Sequence, residues 1–125
     1  MRPFILALLP ALLLGGCGKS LLGNWRGTCI VPTDGGDMPV DFMLDVDAEK
    51  GDKVHGDGWF DYDGYRFRGD MGGSRDGDKV AMDLEGLYGG YVITLSVDGD
   101  LRGNDDKVVG DCDFFDNAGE FSMEL

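Results

Sequence analysis

The chain has 125 residues, 42% of them hydrophobic and 28% charged, and its 24 acidic against 11 basic side chains leave a formal charge of −13. That length holds one compact domain with a small core. The charge excludes a surface built for nucleic-acid phosphates, and a single histidine excludes a catalytic zinc site made from a histidine pair.

The first element is a leader. Arg2 supplies a positive charge, and Phe4 to Leu14 form an apolar run of signal-peptide length. It falls short of the roughly 20 apolar residues that a spanning helix needs. The run closes on Leu14-Gly15-Gly16-Cys17, which resembles the lipobox of a bacterial lipoprotein signal. The resemblance implies diacylglyceryl transfer to the Cys17 thiol, cleavage before Cys17 and acylation of the new amino terminus; the alternative is an ordinary secreted protein with Cys17 as an unpaired thiol. On this reading residues 1–16 are the signal peptide, 17–22 the lipidated N-terminus and tether, and 23–125 a single β-barrel domain. Several acyl chains on one residue anchor a protein stably, where one chain binds only marginally. Gly18 after the cysteine is similar to the outer-membrane sorting pattern of Gram-negative lipoproteins. The expected location is therefore the cell envelope, lipid-anchored to the outer membrane, with the domain facing the periplasm or the surface.

Removal of residues 1–16 leaves 109 of the 125 residues and only Arg2 is lost from the charges, so ten basic side chains face 24 acidic ones. Such a field repels nucleic acid and anionic head groups and favours a basic protein partner or a divalent metal; the plainer role of the charge is to keep a tethered β-protein soluble. With Cys17 assigned to lipid, Cys29 and Cys112 remain as an even pair in an exported chain. They are expected to form a disulfide that closes a loop of more than 80 residues, with a shared metal or two free thiols as the alternatives.

From Gly23 onward no helical period of useful length occurs, and short period-two runs alternate with Gly- and Asp-rich turns. Phe42, Leu44 and Val46 make one apolar stripe, Val80, Met82 and Leu84 a second, Tyr91, Ile93, Leu95 and Val97 a third, and Phe121, Met123 and Leu125 a fourth. Phe60, Tyr62, Tyr65, Phe67 and Phe114 fall on similar stripes and are expected to fill the interior, while Gly56, Gly58 and Gly69 remove volume and leave room for a narrow cavity. Gly51-Asp52-Lys53-Val54, Gly77-Asp78-Lys79-Val80 and Asp105-Asp106-Lys107-Val108 recur at separations of 26 and 28 residues. Each reads as a turn entering a strand, and a unit of that length is one hairpin with its connection. The domain then holds about eight strands in an up-and-down meander.

Eight antiparallel strands with one apolar face remove their edges by closing into a barrel, with a flattened sandwich as the alternative. Closure also brings the two ends of the chain, and so the two cysteines, together. Gly23-Asn24-Trp25 resembles the Gly-x-Trp that opens the first strand of lipocalins, avidins and related calycin-like barrels, and the resemblance implies a tryptophan plugging the closed end. It covers three residues and carries an architecture, not a ligand or an activity.

The chemistry-bearing residues point away from catalysis. His55 stands alone in a strand with no Ser or Cys nucleophile in a recognisable motif, and reads as an exposed strand residue. The Asp-x-Asp pairs Asp45/Asp47, Asp61/Asp63, Asp98/Asp100 and Asp111/Asp113 lack the EF-hand spacing, so they read as a solvated outer surface that admits weak calcium binding but no dedicated metal site. No catalytic residue and no cofactor is expected. The expected function is that of a non-catalytic, lipid-anchored binding module for another macromolecule, with the acidic surface and the loop Pro32 to Pro39 as contact regions. The alternatives are an inhibitor of a cationic hydrolase such as a lysozyme, and a lipocalin-like carrier of a small hydrophobic ligand.

Overall fold

The period-two runs become strands because each has one face to bury, and the Gly- and Asp-rich tetrapeptides between them become turns. In the computed structural model, which describes residues 20–125, eight antiparallel strands follow one another around a closed barrel. They are β1 (Gly23–Thr33), β2 (Gly36–Lys50), β3 (Lys53–Tyr62), β4 (Tyr65–Asp76), β5 (Lys79–Tyr88), β6 (Tyr91–Arg102), β7 (Lys107–Phe114) and β8 (Asn117–Glu124). β1 pairs with β2 and also with β8, from Arg26↔Glu124 to Ile30↔Glu120. Closure, not a sandwich, removes the free edges. Cys17 and the leader lie outside the described residues.

The core is the inner face of every strand. Phe42, Leu44 and Val46 on β2, Val80, Met82 and Leu84 on β5, and Leu95 and Val97 on β6 are at most 3% exposed. Carboxylates occupy the alternate, outward positions, which is the inverse of a membrane-spanning barrel with its apolar outer band. Phe60 meets Phe67 and Phe114 with ring centroids 5.3 Å apart in both pairs, and Phe42 meets Phe121 at 6.3 Å. Since β3 and β7 stand on opposite walls, Phe60 and Phe114 meet across the interior, while Phe60 and Phe67 are direct neighbours on β3 and β4 and Phe42 and Phe121 lie on the strands flanking β1; each pair contributes about 0.5–1.5 kcal/mol beyond its buried area.

Gly56, Gly58 and Gly69 do face inward, and the place of each missing side chain is taken by neighbouring backbone. A Cβ at these positions would collide with the backbone carbonyls of Asp45, Met43 and Glu85 respectively. The absent side chains are the space into which the neighbouring strand coils, a curvature that a small barrel obtains from glycine.

Cys29 on β1 and Cys112 on β7 form a disulfide across 83 residues, with Cα atoms 6.1 Å apart. The bond passes over the inner face of β8, where Gly119 stands opposite Cys112 and Phe121 opposite Cys29. In a flat sheet two strands flanking a third are about 9.5 Å apart, so the short span reflects how sharply the wall bends at β8. A side chain at Gly119 would strike the Ile30 carbonyl. The staple therefore spans the seam where β1 closes the barrel.

The two ends of the barrel are built differently. At the end where the described chain begins, Trp25 is fully buried and its Nε1–H donates to the Leu21 carbonyl at 2.8 Å. The Glu49 carboxylate accepts from Leu21 N–H and Ser20 Oγ, both at 2.9 Å, and holds the entering chain in place. The three repeats are the turns of this same end. In each, the Asp carbonyl extends the strand ladder by one bond, Asp52 accepting from Arg75 N–H, Asp78 from Leu101 N–H and Asp106 from Leu125 N–H at 2.8–3.0 Å. The following Val54, Val80 and Val108 are at most 1% exposed. The repetition in sequence is thus one device used three times around one rim.

Candidate functional site

The opposite, far end carries the hairpin tips Asp34-Gly35, Asp63-Gly64, Gly89-Gly90 and Phe115-Asp116. Both residues of the last three tips have positive φ: 54° and 81°, 55° and 88°, 57° and 63° in turn. This is the backbone of a type I′ hairpin turn, whose twist matches that of the flanking strands. Glycine or a short polar residue adopts it readily. Phe115 does not, and an L-residue in this region costs roughly 1–2 kcal/mol.

Residues next to these tips project beyond the barrel wall. Tyr65 is 63% exposed, Leu87 70%, Tyr91 75%, Val92 56% and Phe115 55%. Tyr65 and Tyr91 were expected to pack inside, and the structure corrects this. They stand at the first strand position after a two-residue turn, past the last layer of the core. Tyr62, one turn earlier, is half-buried and lies over Phe114 and Phe115 with centroids 5.2 and 6.2 Å away. The β3–β4 and β7–β8 hairpins thereby meet at the mouth, with an apolar rim outside. Adjacency to a turn is the signal in the sequence that distinguishes these aromatics from the core ones.

A surface groove of about 590 Å³ opens beside this rim along the β1–β8 seam, with Ile30, Pro32, Asp37, Glu120 and Phe121 in its walls. The β1–β8 ladder ends at Ile30↔Glu120, so the strands diverge here. Pro32 to Pro39 is not a loose loop: it is the tip of the β1–β2 hairpin, paired through Pro32↔Asp37 and Thr33↔Gly36.

The electrostatics are uneven. Asp45, Asp57, Asp70 and Glu85 stand directly opposite one another in a row across β2 to β5, and such like-charge neighbours are mutually unfavourable. The exposed His55 borders a shallow groove with Asp70, Asp83 and Glu85. Among the described residues no group of three or more His, Cys, Asp or Glu is arranged to hold a metal ion. The Asp-x-Asp pairs lie on the outer faces of their strands or at turns. On the same wall, two residues further along β3 than Asp57, Trp59 faces outward but is only 9% exposed, because the Arg66 guanidinium lies 3.6 Å from its ring centroid and that of Arg26 5.9 Å away. Asp61 fixes Arg66 with two hydrogen bonds of 2.8 and 3.0 Å, and this partner holds the Asp61 carboxyl below the usual carboxylate range. Arg75 likewise pairs with Glu49 at 3.5 Å, whereas Arg68 and Arg102 make no ion pair within 4 Å among the described residues.

Of the residues singled out in the sequence, the structure brings Cys29 and Cys112 together, leaves His55 and the Asp pairs on the surface, and places the Pro32–Pro39 hairpin beside the aromatic rim. No family model, no curated protein and no solved structure matches this chain.

Proposed function

We propose that this chain is a non-catalytic cell-envelope protein, lipid-anchored through Cys17, whose far rim binds another macromolecule of basic character. The observation that carries the reading is Phe115, an aromatic side chain held at positive φ and left half in water. It packs one side against Tyr62 and Phe114 and keeps the rest of its ring in water despite the backbone strain, and strain of this kind clusters where a residue serves a contact. Tyr65 and Tyr91 add large, stiff contact area on neighbouring tips, the residue types that dominate binding energy at interfaces. Asp34, Asp37, Asp63 and Asp116 lie among or beside these tips and would steer a basic partner toward them. Rings meeting across the interior favour the outside of the barrel over its inside as the binding face. Anchoring to the outer membrane follows from the Cys17-Gly18 pattern and belongs to the same proposal.

The test is capture from envelope and host extracts by the barrel from Gly18 onward, which contains every strand and both disulfide cysteines, compared with its Tyr65→Ser/Tyr91→Ser/Phe115→Ser variant. Salt-sensitive binding of a basic protein, weakened by about tenfold or more in the variant, is expected. Equal binding by both forms, with equal thermal stability, would sink the reading. The acidic, protruding tips also favour a second reading, inhibition of a cationic hydrolase, which the same experiment separates by assaying any captured enzyme with and without the barrel.

A further inference from the structure

The groove beside the far rim differs from the rest of the outer wall. Of the large apolar side chains left exposed among the described residues, every one except Ile30 lies within two residues of a far hairpin tip or at the end where the described chain begins. Ile30 is 43% exposed on the barrel wall, and the next outward position of β1 is the exposed Pro32. Both line the 590 Å³ groove. The seam is open here: the β1–β8 ladder stops at Ile30↔Glu120, and residues 31–33 do not pair with residues 117–119. Each of the two apolar positions has a carboxylate one strand away. Glu120 stands directly opposite Ile30 on β8, and Asp37 directly opposite Pro32 on β2. Both are exposed, and neither has an ion pair within 4 Å among the described residues. No basic side chain lines the groove, and Asp111, opposite Glu120 on β7, adds to the negative field.

We propose that this groove seats a lysine or arginine side chain of the basic partner, its aliphatic stem on Ile30 and Pro32 and its charged head in the field of Asp37 and Glu120. The proposal rests on the reading of the far rim as the contact face, and names what the partner presents beside it. The occupant follows from charge and shape together. Two uncompensated carboxylates repel an anion, and a purely apolar ligand would desolvate them without any return. A bare metal ion would leave the apolar floor unused, and the described residues hold no group of three or more ligating side chains. A long basic side chain matches both halves, since lysine and arginine lay their stems along apolar surface and keep the charged head at its polar edge. The reach fits as well, because floor and carboxylate are one strand apart, about 4.8 Å. β8 leads from Phe115 to Glu120 in five residues, about 17 Å, so one partner surface covers Phe115 and fills the groove at once.

The test is an amide NMR titration of the processed protein, purified from cells in an uncharged detergent. The probes are N-acetyl-lysine methylamide, N-acetyl-arginine methylamide and, as the uncharged control, N-acetyl-norleucine methylamide. Shifts from the two basic probes are expected to gather at Ile30, Gly119, Glu120 and Ser122, to fade at high salt and to be absent with norleucine. Asp37→Asn/Glu120→Gln, isosteric changes at exposed positions, should weaken both basic probes by about threefold to fivefold. Shifts spread evenly over the carboxylates of the outer wall, or unchanged in the double variant, overturn the seat. The rim reading fails separately. The Tyr65→Ser/Tyr91→Ser/Phe115→Ser variant keeps the groove and should bind the probes as the parent does. Groove shifts without any captured protein therefore support the seat and remove the rim reading, whereas capture that survives Asp37→Asn/Glu120→Gln at full strength overturns the seat and leaves the rim.

Discussion

The two ends of this barrel use different hairpin turns to different effect. At the end where the described chain begins, three turns with related sequences, two of two residues and one of four, extend their ladders by a backbone hydrogen bond each, their valines are buried, and Trp25 is fully buried beneath them. At the far end the tips differ in sequence, and a phenylalanine occupies a backbone region that glycine would take without strain. One ring, Tyr62, packs on Phe114 at the mouth, while Tyr65, Tyr91 and Phe115 stay largely in water. Repetition accompanies the end that has a structural task, and irregularity with strain accompanies the end free to meet a partner. Closed barrels commonly divide their labour in this way, with loops on a rigid scaffold carrying function.

The contrast can be broken or sharpened by substitution. The largest effect is expected at the staple that serves both ends. Replacing Cys29 and Cys112 with alanine frees a loop of 83 residues, and should lower stability in a urea titration by about 4–5 kcal/mol in the chain-entropy model. Exchange should then rise first along the far half of the β1–β8 seam, where pairing is already absent. Trp25→Ala removes the plug and the hydrogen bond to Leu21, with an expected loss of about 3–5 kcal/mol. Its damage should be confined to the tether end, and the far rim should keep its binding in any variant that remains folded.

At the far end the effect is smaller. Phe115→Gly relieves the positive φ but removes the ring contacts with Tyr62 and Phe114, two terms of similar size, so the melting temperature should change little while partner capture weakens. A simultaneous rise in stability and in binding would refute the division between the ends.

The smallest effect concerns the wall between them. Arg66 holds the Asp61 carboxyl below its ordinary value, so the ion pair contributes fully above the unfolded value of about 3.9 and is lost only as pH falls through the lower folded value. Acid titration should therefore release Arg66 from the Trp59 ring and change the Trp59 emission below about pH 4. Asp61→Asn should produce the same change at neutral pH, and the buried Trp25 should not respond. Emission that is flat across this range would show that Arg66 stays on the ring without its carboxylate.

Much of this architecture was legible in the residues. Period-two stripes such as Phe42-Leu44-Val46 have one face to bury whatever lies opposite, so strand identity and the inward set follow from local pattern. The spacing of the Asp-Lys-Val repeats set the hairpin count, and the two cysteines left once Cys17 was set aside as a lipid site set the staple. Tyr65 and Tyr91 were misplaced because alternation counts parity and not depth: they keep the inward phase of their strands, but the core ends before them. Gly56, Gly58 and Gly69 were likewise read as missing volume, where a neighbouring strand's carbonyl fills the space. The arginine cover over Trp59 had no local signal, since Arg26, Asp61 and Arg66 meet only across strands.

By itself, then, the amino-acid sequence determined the all-β class, the eight-strand meander, the acidic outer face and the pairing of Cys29 with Cys112, because each depends on short-range periodicity or on simple counting. Tertiary structure alone decided which aromatics reach solvent, where the β1–β8 seam opens beside the far rim, and how two cysteines on strands flanking β8 come within reach. These depend on where a closed, tightly coiled barrel runs out of core and how sharply it bends, and curvature is a property of all eight strands together.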